Sequence, residues 1–283
     1  MSKRNMLLGN AAGKVGDLVF YRAGGEQRTR TRVTPNNPRS YNQQAQRSKM
    51  AQITLTHRAL SALIKDSFPS RPSKQSAFNA FSAANMEIAP YLSKGNAALG
   101  NFIPMPAFIA KGGLPASFTG VDFTGSGGSL VLELTGIETA AAAPTSVDEL
   151  SAILKAWRPC CFANGTKLVI VLLEWGLSAS QQGGIARYIK VEVSDDDSTT
   201  LSSLGITATK TGNSLKLSVT SAATMAAGGV VILTQDENGK WDSNAAQMVL
   251  DSGADTLYGI STSDSAKETA AESYGASAGR CFV

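Results

Sequence analysis

Arg28, Arg30 and Arg32 alternate along the segment Arg28-Thr29-Arg30-Thr31-Arg32. On a β-strand alternate side chains share one face, so the three guanidiniums would form a row at intervals of about 6.6 Å. A guanidinium does not lose its charge and meets a phosphate with paired donors, which makes such a row a candidate grip on a polyanion backbone. The same pattern also suits an edge strand shielded by charge from pairing with other chains. Arg22, Arg39, Arg47 and Arg58 complete the candidate nucleic-acid-binding set. Few aromatic residues interleave with them, so the expected contact is electrostatic and independent of base sequence.

Catalytic chemistry finds no support. His57 is the only histidine, and it falls on the apolar side of a helical pattern, so it reads as a packing residue. A Ser-His-Asp triad would have to be built around it, and a histidine zinc site would need more histidines. Gly9-Asn10-Ala11-Ala12-Gly13-Lys14-Val15 is one residue too short for a phosphate loop, carries Val15 in place of the magnesium-binding hydroxyl, and precedes a strand. Asp195-Asp196-Asp197 lacks the spaced ligand series of a calcium loop and reads as a solvated turn. Cys160, Cys161 and Cys281 are odd in number and contain no Cys-x-x-Cys, against a disulfide framework or zinc site and in favour of a reducing compartment. No cofactor or small-molecule substrate is expected.

The charge is unevenly spread. Residues 1–75 carry 14 Lys or Arg against Asp17, Glu26 and Asp66, a net +11; residues 76–283 carry 12 against 19 acidic residues, a net −7. A basic arm on an acidic body fits a scaffold that meets nucleic acid or an acidic neighbour. The only apolar stretch near the start is Met6-Leu7-Leu8, so neither a signal peptide nor a membrane span is expected.

Leu18-Val19-Phe20-Tyr21, a Gly24-Gly25 turn and residues 27–33 read as a hairpin, broken by Thr34-Pro35-Asn36-Asn37-Pro38. Ser40 and Gln43 offer a capping box for a helix reaching about Lys65. Met50, Ile53, His57, Leu60 and Ile64 share its apolar face, while Arg47, Arg58 and Lys65 share a basic one. A second helix is expected over residues 74–88, then a Gly/Pro/Asn-rich connector over residues 90–115. Seven strands follow, at 120–123, 129–134, 167–175, 186–193, 214–219, 229–234 and 247–250, interrupted by a helix with Ser146 and Glu149 as its capping box. Asp236-Glu237-Asn238-Gly239 is a hairpin turn. Residues 252–283 are rich in small polar residues and read as a low-complexity tail, ending in an apolar Cys281-Phe282-Val283 able to dock in an assembly.

The segment Gly13-Lys14-Val15-Gly16-Asp17-Leu18-Val19-Phe20-Tyr21, with Arg30, Arg32, Pro38 and Gln43-Gln44-Ala45-Gln46-Arg47, resembles a family of uncharacterised proteins from Bacteroidota and their phages. Residues 230–240 are similar to the closing hairpin of that family's C-terminal immunoglobulin-like sandwich. The resemblance implies a phage-encoded protein and no reaction, cofactor or site residues. The segment around residues 140–157 and the long C-terminal stretch depart from it.

Together these features predict an α+β chain: an N-terminal β-hairpin and helices, then an antiparallel Ig-like β-sandwich. The expected parts are a basic hairpin-plus-helix region (1–89), a connector (90–115), a β-sandwich (116–251) and a tail (252–283). The expected function is a non-enzymatic structural or assembly protein of a bacteriophage virion, present in the host cytoplasm before assembly. Its partners would be other virion proteins or its own copies, with packaged nucleic acid a candidate for the basic region. The rivals are a sequence-independent nucleic-acid-binding protein and a protein- or glycan-binding β-sandwich module.

Overall fold

The computed structural model describes residues 13–23, 26–33, 39–72, 74–115, 118–124, 128–137, 142–176 and 184–276. The Gly24-Gly25 turn, the break at residues 34–38 and the terminal Cys281-Phe282-Val283 lie outside them. The chain is a mixed α+β protein of two compact units, Met1–Pro38 and Arg39–Val283.

In the first unit, β1 (Gly13–Val15), β2 (Leu18–Ala23) and β3 (Glu26–Thr31) form an antiparallel sheet in that order. Gly16, with φ +58°, opens the β1–β2 turn in a conformation that favours glycine.

The second unit starts with α1 (Tyr41–Ser67), α2 (Ala77–Asn85), α3 (Lys94–Leu99) and β4 (Phe108–Lys111). Next come β5 (Gly120–Phe123), β6 (Ser129–Thr135), α4 (Val147–Trp157), β7 (Lys167–Trp175), β8 (Ile185–Glu192), β9 (Ile206–Thr211) and β10 (Ser214–Thr220). The chain continues through β11 (Met225–Gln235), β12 (Trp241–Ser243), β13 (Ala245–Gln247) and β14 (Val249–Leu250) to α5 (Ser252–Ser261) and α6 (Asp264–Ser273). One antiparallel sheet has the order β5-β6-β10-β9 and the other β12-β11-β7-β8, with β14 also on β11 and β13 paired to β4.

β7 explains the layering. Its Leu168, Ile170 and Leu172 share a core with Leu130, Leu132 and Leu134 of β6 and Leu215, Leu217 and Val219 of β10, so the two sheets face each other. Its Val169, Val171, Leu173 and Trp175 share a second core with Ile53, Leu60 and Ile64 of α1, Phe81 of α2, Met105 and Ile109. The strand is therefore buried on both faces, as its near-continuous apolar sequence requires. Helix, sheet and sheet form three layers.

This arrangement regroups the expected parts. The helical region, the connector and the strands belong to one unit because α1 covers the outer face of the β12-β11-β7-β8 sheet. Residues 90–115 are fastened by buried side chains. Gln52 holds Ile103 at both ends, its Nε2 donating to the carbonyl at 2.6 Å and its Oε1 accepting from the N–H at 3.0 Å. Asn85 grips Phe108 in the same way, at 3.1 and 2.8 Å, and Ser48 Oγ accepts from the Leu92 N–H at 2.8 Å.

Residues 252–273 are not a tail but two capped helices. Asp251 Oδ1 accepts from the Ala254 N–H and Ser263 Oγ from the Ala266 N–H. Tyr258 Oη donates to the Ile88 carbonyl, and Ala254, Ala270 and Ala271 are buried. Small residues, which suggested low complexity, are what let these helices sit close to their neighbours.

Two capping expectations change. Ser40 is the α1 N-cap but its side chain makes no capping hydrogen bond, and Ser146 likewise makes none at α4. Glu149 instead accepts from the Thr145 N–H at 2.7 Å and from its hydroxyl at 2.9 Å, one residue earlier than expected.

Candidate nucleic-acid interface

The register of the first unit sorts its side chains. Lys14 lies opposite Val19, Val19 opposite Arg30, and Tyr21 opposite Arg28. Residues directly opposite in an antiparallel pair share a face, so Lys14, Tyr21, Arg28 and Arg30 lie on one side of the sheet. All four are exposed. The Arg30 guanidinium carbon stands 5.7 Å from the centre of the Tyr21 ring, and Arg28 Nη2 stands 3.6 Å from Glu26 Oε2. That ion pair is open to water and contributes little. Arg30 is thus held over an aromatic face while Arg28 is only loosely engaged.

The other face carries Val15, Leu18 and Phe20 beside Thr29 and Thr31, with the Arg22 and Gln27 register positions at its far end. The sheet thus gathers Lys14, Arg28 and Arg30 on the side opposite Val15, Leu18 and Phe20.

Arg32 lies one residue beyond β3. Its N–H still donates to the Asp17 carbonyl at 2.6 Å, which continues the pairing. It is exposed and keeps the parity of Arg28 and Arg30. Arg22 is at a register position of the opposite parity, across from Gln27, and its side chain lies outside the described residues. The arginine row therefore forms as the alternation predicts, but Arg22 does not join it. Lys14, which sequence reasoning did not select, does; the hairpin register, with Lys14 across from Val19, was the missing information. Since β3 is at the edge of its sheet, its arginines also oppose edge-to-edge pairing, which is compatible with anion binding.

The remaining predicted residues belong to the second unit. Arg39 precedes α1 with φ 48°, a conformation rare outside glycine, and is exposed. Arg47 and Arg58 are exposed on α1 along with Lys65, as their spacing predicts, and Arg47 Nη1 donates to Gln44 Oε1 at 3.2 Å. Met50 departs from the expected apolar face: it is exposed. His57 packs as expected, its ring 4.9 Å from Phe78 and 5.7 Å from Phe81, and burial lowers its pKa.

A second concentration of cations surrounds Trp241 in this unit. Lys167 Nζ is 5.0 Å from the Trp241 ring centre. A groove of about 300 Å³ between α1 and the sheet is lined by Asp66, Lys167, Tyr188, Lys190, Glu192 and Trp241, and a neighbouring one by Lys65, Arg71 and Lys240. Burial pushes the Tyr188 hydroxyl up to about 12, and it donates to the Ala59 carbonyl. Among the described residues none of the four lysines forms an ion pair. These residues lie up to 175 residues apart in sequence, from Lys65 to Lys240, so no local motif could have announced them.

The acidic loop is a turn. Asp195 takes the Lys155 ammonium at 2.6 Å and Asn164 Nδ2 at 2.9 Å, and Asp197 accepts from the Thr199 N–H and hydroxyl. These hydrogen bonds lower both carboxyl pKa values. Among the described residues no cluster of three potential metal ligands occurs, and no helix is long and apolar enough to cross a membrane.

No protein-family model matches the sequence, and no curated protein is significantly similar to it.

Proposed function

We propose that the protein is a non-enzymatic structural or assembly component of a bacteriophage virion whose N-terminal sheet contacts the nucleic-acid backbone. The observation that carries this reading is the gathering of Lys14, Arg28 and Arg30 on one face of that sheet, with Tyr21 among them and Arg32 continuing the row. Fixed, exposed cations on a pleated surface suit phosphates and carry no base-specific code. The strand orders of the second unit support an immunoglobulin-like reading: β5-β6-β10-β9 follows the order A-B-E-D, and β12-β11-β7-β8 the order G-F-C-C′. Such a module would pack against other virion proteins or copies of itself, reaching the virion from the host cytoplasm. The sequence resemblance to phage proteins points the same way.

Co-sedimentation with purified particles at a fixed stoichiometry is the expected result. Recovery only in the soluble lysate, with salt-sensitive retention on DNA or RNA, would instead identify a nucleic-acid-binding protein without a structural role.

The groove at Trp241 favours a second reading, a glycan-binding module. Lysine donors, the Asp66 and Glu192 acceptors and aromatic rings together suit a hydroxyl-rich anionic chain. Retention on an acidic polysaccharide that Lys167→Ala and Lys190→Ala abolish, with DNA retention unchanged, would select it.

A further inference from the structure

Cys160 and Cys161 occupy the turn between α4 and β7, and their Sγ atoms lie 3.5 Å apart. Cys160 is exposed, whereas Cys161 is buried with its Sγ 4.0 Å from the Pro115 carbonyl oxygen. The turn is pinned: the N–H groups of Cys161 and Phe162 both donate to the Arg158 carbonyl, and the Phe162 side chain belongs to the core between the sheets. One thiol is therefore presented to solvent while its neighbour is held behind it.

We propose that Cys160 and Cys161 are a redox modification site, a vicinal dithiol that a low-molecular-weight disulfide of the glutathione class converts to a vicinal disulfide. The Cys160 thiol gives its proton to water, and its sulfur attacks one sulfur of the glutathione disulfide. That S–S bond breaks, one glutathione thiolate leaves, and Cys160 carries a mixed disulfide. Cys161 then releases its proton and its sulfur attacks Cys160 Sγ, expelling the second glutathione thiolate. The protein loses two protons and two electrons, and one glutathione disulfide becomes two thiols. Exposure assigns the roles, Cys160 attacking and Cys161 resolving.

Adjacent Cα atoms are about 3.8 Å apart, below the roughly 4.4–6.8 Å usual for a disulfide. The closed ring is consequently strained and readily reopened by thiols. It would stay reduced in a cytosol and close in an oxidising exterior. This inference does not depend on nucleic-acid binding.

The test uses the full chain with Cys281→Ser, so that only the pair remains. Treatment with oxidised glutathione, followed by thiol counting and intact-mass measurement, should show loss of both thiols, a mass lower by two hydrogens and no retained glutathionyl group. Reduced glutathione should restore both thiols. Adding Cys161→Ser should trap one glutathionyl group on Cys160, and adding Cys160→Ser should slow the reaction at least tenfold. Two persistent thiols, or a stable glutathionyl adduct, in the Cys281→Ser protein would overturn the proposal. Those readouts come from the chain with both cysteines intact, so they decide the matter even if a substitution at buried Cys161 prevents folding.

Discussion

Residues 116–251 contain both facing sheets, yet this fragment should not fold by itself. Cutting there removes Ile53, Leu60 and Ile64 of α1, Phe81 of α2, and Met105 and Ile109, which cover the outer face of the β12-β11-β7-β8 sheet. Val169, Val171, Leu173, Trp175, Val231 and Leu233, each no more than 6% exposed in the whole chain, would then meet water. Burying a side chain of this kind contributes about 1.5–3 kcal/mol, so exposing six sacrifices on the order of 10 kcal/mol. That is comparable with the whole stability of an ordinary domain, about 5–15 kcal/mol. The Trp175 Nε1 bond to the Phe102 carbonyl, 3.0 Å long, and the Tyr188 bond to Ala59 are lost as well. Circular dichroism melts and dye binding to exposed apolar surface should find residues 39–276 cooperative and residues 116–251 without a sharp transition. A two-state melt of the shorter fragment within a few degrees of the longer one would refute the three-layer account.

Gln52→Ala should cost about 2–4 kcal/mol in denaturant unfolding, because the Ile103 N–H and carbonyl are left without their partner. Arg58→Ala on the exposed face of the same helix should change stability by less than about 0.5 kcal/mol. Limited proteolysis of dilute protein should leave residues 252–273 intact, and truncation after Asp251 should lower the melting temperature, since α5 and α6 are part of the fold. Burial lowers the His57 pKa beneath its usual 6.5, so the unfolded chain binds the proton more readily. Stability should therefore fall as pH drops below about 6.5 and level off once the folded-state pKa is passed, and His57→Gln should flatten this slope in urea titrations at pH 5–7.

Several elements were legible from local pattern. The unbroken apolar run of Lys167–Trp175 marks a buried strand, and the 3/4 spacing of Ile53, Leu60 and Ile64 marks the covered side of α1. The turn at residues 236–239 is built as its residues suggest, with Asp236 Oδ1 accepting from the Asn238 and Lys240 N–H groups and Gly239 at φ +77°. β9 was missed although Ile206 to Thr211 alternates and leads into a Gly212-Asn213 turn, with Gly212 at φ +59°. Composition misleads at the C-terminus, where the small polar residues read as a low-complexity tail but Ser263 caps a helix and Ala254, Ala270 and Ala271 pack closely. The connector could not be read locally, because the groups that satisfy its backbone, Ser48, Gln52 and Asn85, come from distant helices. Within the candidate site, period 2 was enough to align Arg28 and Arg30. Excluding Arg22 and adding Lys14 required the inter-strand register.

The salt dependence of nucleic-acid binding by the full chain tests the central claim most directly. Replacing Lys14, Arg28 and Arg30 together by Gln removes three cations from one face of the sheet while leaving the buried cores of the second unit untouched. At about 0.9 per phosphate contact on duplex DNA, the slope of log K against log salt should become shallower by about 2.7. A slope unchanged between the two proteins from low to moderate salt would contradict the assignment of that face to the nucleic-acid backbone.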